Sequence, residues 1–170
     1  MYPALAVLLG LGLVGCGGGG GGSEPEAHRT VRGSGFTFST PVGWEVAQSP
    51  TGVSVSPQKG SETTVAVTVF RLVRPFRPAL WKRASGELDG VADRLARQLH
   101  GTVEKQSTVH VALARARQYE LSYERDGTSL RQRITFALRG RREYELLCRW
   151  PAADGEPDAC GLLTTSFKLS

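Results

Sequence analysis

Histidine is scarce, with three in 170 residues, and His28, His100 and His110 are not at the i, i+4 spacing by which a helix holds a metal ion. No histidine or third cysteine stands near Cys148 and Cys160 at ligand spacing, so neither a metal site nor a cofactor is read here. Ser54, Ser56 and Ser166 lie in no Gly-x-Ser-x-Gly elbow, and Glu87 and Asp89, two apart on a helical segment, do not face each other. No catalytic residue is assigned, and a hydrolase would have to assemble its site from distant positions. Long apolar runs are missing as well. Ala4 to Val14 is the one such stretch, and its eleven residues fall short of the roughly 20 that a membrane-spanning helix needs. With 40% apolar and 22% charged residues and a formal charge of +5, the chain is no disordered polyelectrolyte and suits one globular domain.

What is present begins at the N-terminus. The apolar stretch ends in Leu13-Val14-Gly15-Cys16, small residues before a cysteine, which resembles the lipobox of bacterial lipoproteins. The resemblance implies that residues 1–15 are a signal peptide removed before Cys16. It also implies that Cys16 carries two or three acyl chains such as palmitate, enough for stable anchoring. Gly17 through Gly22, then Ser23-Glu24-Pro25-Glu26, offer nothing apolar to bury, and 16–34 reads as the lipidated cysteine and a flexible tether of about 25 Å root-mean-square span. The expected location is the extracytoplasmic face of a cell membrane, where nucleic acid is not a partner. In such an oxidising compartment Cys148 and Cys160 remain as an even pair. A disulfide is the plain inference, worth about 3 kcal/mol by the chain-entropy model, with free thiols as the alternative.

The folded domain is expected over 35–170. Phe36 and Phe38 alternate with polar residues, and Pro41-Val42-Gly43-Trp44 turns toward Glu45-Val46-Ala47 as a hairpin would. Val53 and Val55 alternate again, and Thr63 to Val73 reads as a long strand ended by Pro75 and Pro78. The period then changes. Leu80, Trp81, Ala84, Leu88, Val91, Ala92, Leu95 and Leu99 recur at helical steps, predicting an amphipathic helix from Pro78 to His100 with Gly101 at C′. Gly86 and Gly90 weaken that helix and are expected to let it pack closely on the sheet. Four strands follow, 103–109, 116–123, 130–138 and 143–150, with turn signals at Asp126-Gly127 and Arg139-Gly140. A short helix over 157–165 leads to Phe167 and Leu169. The class is α+β, an antiparallel β-sheet packed with one long and one short α-helix.

In this order, Phe36-Thr37-Phe38 with Pro41-Val42-Gly43-Trp44, the Tyr119-Glu120-Leu121 strand, the Arg139-Gly140 hairpin before Tyr144, and Ser166-Phe167 resemble the PsbP-like superfamily. The lipobox points to its LpqN-like lipoprotein branch. The resemblance implies an α/β/α sandwich and a mostly non-enzymatic, protein-binding role.

Basic residues cluster at Arg71, Arg74, Arg77, Lys82 and Arg83, and again at Arg139, Arg141 and Arg142. As a solvated face they need no explanation. As a site they would meet anionic headgroups, cell-wall polyanions or an acidic partner. Trp44 and Trp81 are expected in the core, with a partner anchor as the alternative. The expected function is a lipid-anchored, non-catalytic module that binds an envelope protein or supports envelope assembly. The alternative is a carrier of a lipid or apolar ligand between sheet and helix, on the face of Leu88, Val91, Leu95 and Leu99.

Overall fold

The structure is a computed structural model that describes residues 27–170. Cys16 and the segments expected to be signal peptide and first part of the tether lie outside the described residues. The strands form two sheets. Strands β1 (His28–Gly33), β2 (Phe36–Pro41) and β10 (Lys168–Leu169) make a small antiparallel sheet in the order β1-β2-β10. Strands β3 (Glu45–Ser49), β4 (Gly52–Ser56), β5 (Thr64–Arg71), β6 (Thr102–Val111), β7 (Ala114–Arg125), β8 (Thr128–Arg139) and β9 (Arg142–Pro151) make a seven-stranded sheet. Its order is β3-β4-β5-β9-β8-β7-β6, antiparallel throughout. Helix α1 (Trp81–Gln98), entered through a 3-10 turn at Pro78–Leu80, links β5 to β6, and α2 (Asp158–Ser166) follows β9.

Strand alternation sends side chains to both faces of the large sheet, and each face is covered. On one face Leu88, Ala92 and Ala96 of α1 pack on Tyr119, Leu121, Ile134, Phe136 and Leu138. On the other, the small sheet and α2 bring Phe36, Phe38, Leu163 and Phe167 onto Val65, Val67, Tyr144, Leu146 and Cys148. Phe36 and Phe167 stack with centroids 5.8 Å apart, and Tyr144 meets Phe167 edge-on at 5.7 Å. Cys148 of β9 and Cys160 of α2 are disulfide-bonded, with Cα atoms 5.4 Å apart. Ser166 Oγ adds a polar tie, accepting from the Ser39 amide at 2.7 Å and donating to the Leu162 carbonyl at 2.6 Å. The residues named in both clusters and in the disulfide all lie within 27–170.

Four expectations are corrected. His28–Gly33, assigned by composition to the tether, is a strand, because β2 needs a partner and Val31 alone of that segment is buried. Strands β2 and β3 are not a hairpin: β2 pairs with β1 and β10, and Pro41–Trp44 passes the chain from the small sheet to the large one. Gly101 is not at C′. His100 takes the left-handed conformation there (φ 54°), donating to the Arg97 carbonyl, while the Gly101 amide reaches the Ala96 carbonyl at 2.9 Å. Glycine is needed at 101 for space, since a Cβ would collide with the Ser122 carbonyl and lie 2.6 Å from Tyr123 Cβ. Gly86 and Gly90, by contrast, do not pack on the sheet. A Cβ at 86 meets nothing within 4 Å, and one at 90 meets only Arg94.

Candidate functional site

The antiparallel register places Arg71 of β5 opposite Arg142 of β9, and Arg142 opposite Arg139 of β8. Residues directly opposite share a face, so three guanidinium side chains form a row across three neighbouring strands. The loop after β5 is tied onto the same place. The amides of Leu72 and Phe76 donate to the carbonyls of Arg141 and Gly140, at 2.9 and 2.6 Å, and Arg141 Nη2 donates to the Val73 carbonyl at 2.8 Å. Arg74 and Arg77 are carried along with that loop. Six of the seven arginines in the two sequence clusters, Arg71, Arg74, Arg77, Arg139, Arg141 and Arg142, therefore meet at one end of the sheet, all exposed, and among the described residues none of the six forms an ion pair. Arg115, at the start of β7, joins them and was missed, because it lies in neither sequence cluster. Arg83 does not join them functionally; it is paired with Glu87 at 2.9 Å. The nearest acidic residue along these strands, Glu143, points to the opposite face of the sheet.

A cleft of about 650 Å³ opens beside this row. Phe76, Pro78 and Trp81 form one wall, the β6–β7 turn at Ala112-Leu113 another, and Leu138 to Gly140 the floor. Phe76 and Trp81 meet edge to face with centroids 6.5 Å apart. Trp81 is thus half-buried in a cleft wall rather than in the core, whereas Trp44 packs against the core of the small-sheet side. Leu113 at the tip of the two-residue β6–β7 turn is fully exposed. Ala112 and Leu113 both have positive φ, 47° and 66°, a turn geometry that favours Asn-Gly and strains other residues.

The most perturbed titrating cluster lies elsewhere and is structural. Asp89 of α1 accepts from Arg117 Nε at 2.8 Å and Nη2 at 3.3 Å, and from the Tyr119 hydroxyl at 2.6 Å. The Arg117 hydrogen bonds hold the Asp89 carboxyl below its usual range. Burial, then the bond to Asp89, pushes the Tyr119 hydroxyl up. Arg117 Nε and Nη2 and the Tyr119 hydroxyl are thus spent on the helix-to-sheet joint, while Arg117 Nη1 reaches Thr108 Oγ1 of β6 at 3.4 Å.

The helix face expected to hold a ligand divides. Leu88 is buried core, while Val91, Leu95 and Leu99 border a shallow groove of about 340 Å³ with Ile134, Phe136 and Leu147. Among the described residues no helix is long and apolar enough to cross a membrane, and no cluster of three or more His, Cys, Asp or Glu could hold a metal.

No family model matches the chain, and no curated protein matches it. Solved structures do. The solution structure of cyanobacterial PsbP (CyanoP) from Synechocystis sp. PCC 6803 is 9% identical over 92% of this chain and 100% of its own, with a TM-score of 0.63. The crystal structure of LpqN, involved in cell envelope biogenesis of Mycobacterium tuberculosis, is 15% identical over 88% of this chain and 87% of its own, with a TM-score of 0.51. A crystal structure from Bacteroides thetaiotaomicron VPI-5482 is 10% identical over 79% of this chain, with a TM-score of 0.53; this chain spans 45% of that one. The protein is thus of the α+β class, two sheets and two helices in layers. Within that class its fold is PsbP-like.

Proposed function

We propose that this protein is a lipid-anchored extracytoplasmic module of the cell envelope that binds its partner without turning it over. Cys16 carries the acyl anchor, the residues up to Ala27 space the domain from the bilayer, and the arginine-lined end is the working surface. The observation that carries this reading is the convergence of Arg71, Arg74, Arg77, Arg139, Arg141 and Arg142 without an acidic partner among the described residues. Like charges placed directly opposite in a sheet destabilise it. A row of three that serves no packing purpose is explained by an external anion. The envelope setting draws support from the shared fold of LpqN, a protein involved in cell envelope biogenesis.

A photo-crosslinking residue at Phe76, in cells, is expected to capture an envelope component, and Arg139→Glu with Arg142→Glu to abolish the capture. Equal capture from Lys59, in the β4–β5 connection, would remove the assignment of a working end. For the anchor, Cys16→Ala is expected to move the protein from the membrane fraction to the soluble one. Continued membrane association would sink that part.

The second reading, a lipid carrier, is favoured by one feature. The 650 Å³ cleft lies in the size range of ligand pockets and has apolar walls of Phe76, Trp81 and Leu138. Organic extraction of the protein purified from its native envelope should then release a stoichiometric lipid. An empty extract would leave the adaptor reading alone.

A further inference from the structure

We infer that the arginine-lined end docks on an anionic phospholipid bilayer, with Leu113 and Val73 as the residues that enter the interface. The inference rests on the working end assigned above and names its partner. Six large apolar residues are exposed among the described residues, and four of them crowd this end: Phe70 (45%), Val73 (88%), Leu80 (48%) and Leu113 (100%). Two of them, Phe70 and Val73, each stand next to an arginine in the stretch Phe70-Arg71-Leu72-Val73-Arg74. A soluble acidic partner would be met by the guanidinium groups alone. Apolar tips projecting among cations match instead a headgroup layer over hydrocarbon, where buried apolar area and attraction to anionic lipid add together.

The β6–β7 turn strengthens the argument. Both of its residues are held in the left-handed region, and neither is a type that favours it. The strain brings no internal contact for Leu113, whose side chain is wholly in solvent. Strain at an exposed apolar tip is the kind that function retains.

The anchor geometry is compatible with docking. Ala27, whose carbonyl accepts the Val42 amide at 2.8 Å, lies at the end of β1 away from the arginines. Gly35, at the other end of the β1–β2 hairpin, abuts Arg142. The six residues of β1 separate the two ends by about 20 Å. The eleven residue steps from Cys16 to Ala27 can reach at most about 40 Å. The arginine end can therefore meet a second bilayer or fold onto the anchoring one.

The test uses the segment 27–170, which holds both cores and the disulfide, with vesicles of mixed phosphatidylglycerol and phosphatidylcholine against phosphatidylcholine alone. Cosedimentation is expected with the mixed vesicles only and should weaken with added salt. Arg71→Gln, Arg139→Gln and Arg142→Gln together should lose about fivefold per arginine while leaving the fold at least as stable, since repulsion is removed. The Ala112→Asn, Leu113→Gly pair gives the sharper readout. It supplies the residues the turn prefers, so thermal stability should rise while vesicle binding falls. Lys59→Gln, in the β4–β5 connection, should change nothing.

Equal sedimentation with neutral vesicles, or unchanged binding by the arginine variant, would overturn the inference. Tighter binding to soluble polyglutamate than to vesicles would overturn it too and assign the end to an acidic protein. Cys16 is absent from this segment, so a failure here leaves the anchor untouched. Capture from Phe76 likewise reports on the working end without assuming a bilayer.

Discussion

Asp89 on α1 and Arg117 on β7 form a two-pronged ion pair, at 2.8 and 3.3 Å, that fixes where the helix crosses the sheet. The Tyr119 hydroxyl, from the same strand, donates to the same carboxylate. Replacing Asp89 by Asn should cost about 1–3 kcal/mol, because it withdraws the charge from a largely buried guanidinium and weakens the acceptor for Tyr119. The Arg117 hydrogen bonds hold the Asp89 carboxyl below the ordinary aspartate range, so the folded state favours the ionised form. Its contribution is then complete above about pH 4 and fades as pH falls through the folded value. Urea midpoints of the protein and Asp89→Asn should differ at pH 7 and converge in acid. A constant difference at all pH values would show that Asp89 acts by shape alone.

Glu143 and Glu145 show the reverse sign. They lie in β9 between Phe70 and Leu138, and between Thr68 and Phe136, and neither forms an ion pair among the described residues. Burial pushes both carboxyls up, and Glu143 pushes Glu145 further. The folded state thus keeps protons that the unfolded chain, at about 4.3, has released. Stability falls as pH rises through that window and stays lower at neutral pH. Glu145→Gln should therefore raise the unfolding midpoint at pH 7, and the gain should vanish below about pH 4.

Much of this architecture is legible in the residues themselves. Helix α1 and the faces of β7, β8 and β9 follow from the 3.6 and 2.0 periods, since long segments with one buried face carry a repeated signal. Strand β1 carries none, because one buried valine makes no period. The β6–β7 turn is silent too. Ala112 and Leu113 are not turn formers, so nothing local announces a left-handed pair. The site was half visible. Its arginines appear as two clusters more than sixty positions apart, and only the order β5-β9-β8 makes them one row. Neighbourhood of non-consecutive strands depends on tertiary packing, to which local propensity is blind. The same holds for Asp89 and Arg117, which a helix crossing brings together.

The Cys148–Cys160 bond staples α2 to the strand that carries Arg142. Closing a loop of this length limits the unfolded chain, so the double change Cys148→Ala, Cys160→Ala should lower stability by about 3 kcal/mol. Thiol labelling of the unreduced, denatured protein should find neither cysteine. Labelling of both at full yield would refute the bond.

Two glycines of the α1 region should respond to alanine with opposite signs. At Gly86 the added methyl meets no atom within 4 Å, and the helix gains by shedding glycine's backbone entropy. Gly86→Ala should thus stabilise by about 0.5–1 kcal/mol. At Gly101 the methyl would strike the Ser122 carbonyl, a backbone atom of a paired strand that cannot swing aside. Gly101→Ala should then cost about 1–3 kcal/mol, as overpacking against fixed backbone does. Thermal melts of the two variants decide the matter. If Gly86→Ala destabilises instead, that face of α1 meets something beyond the described residues.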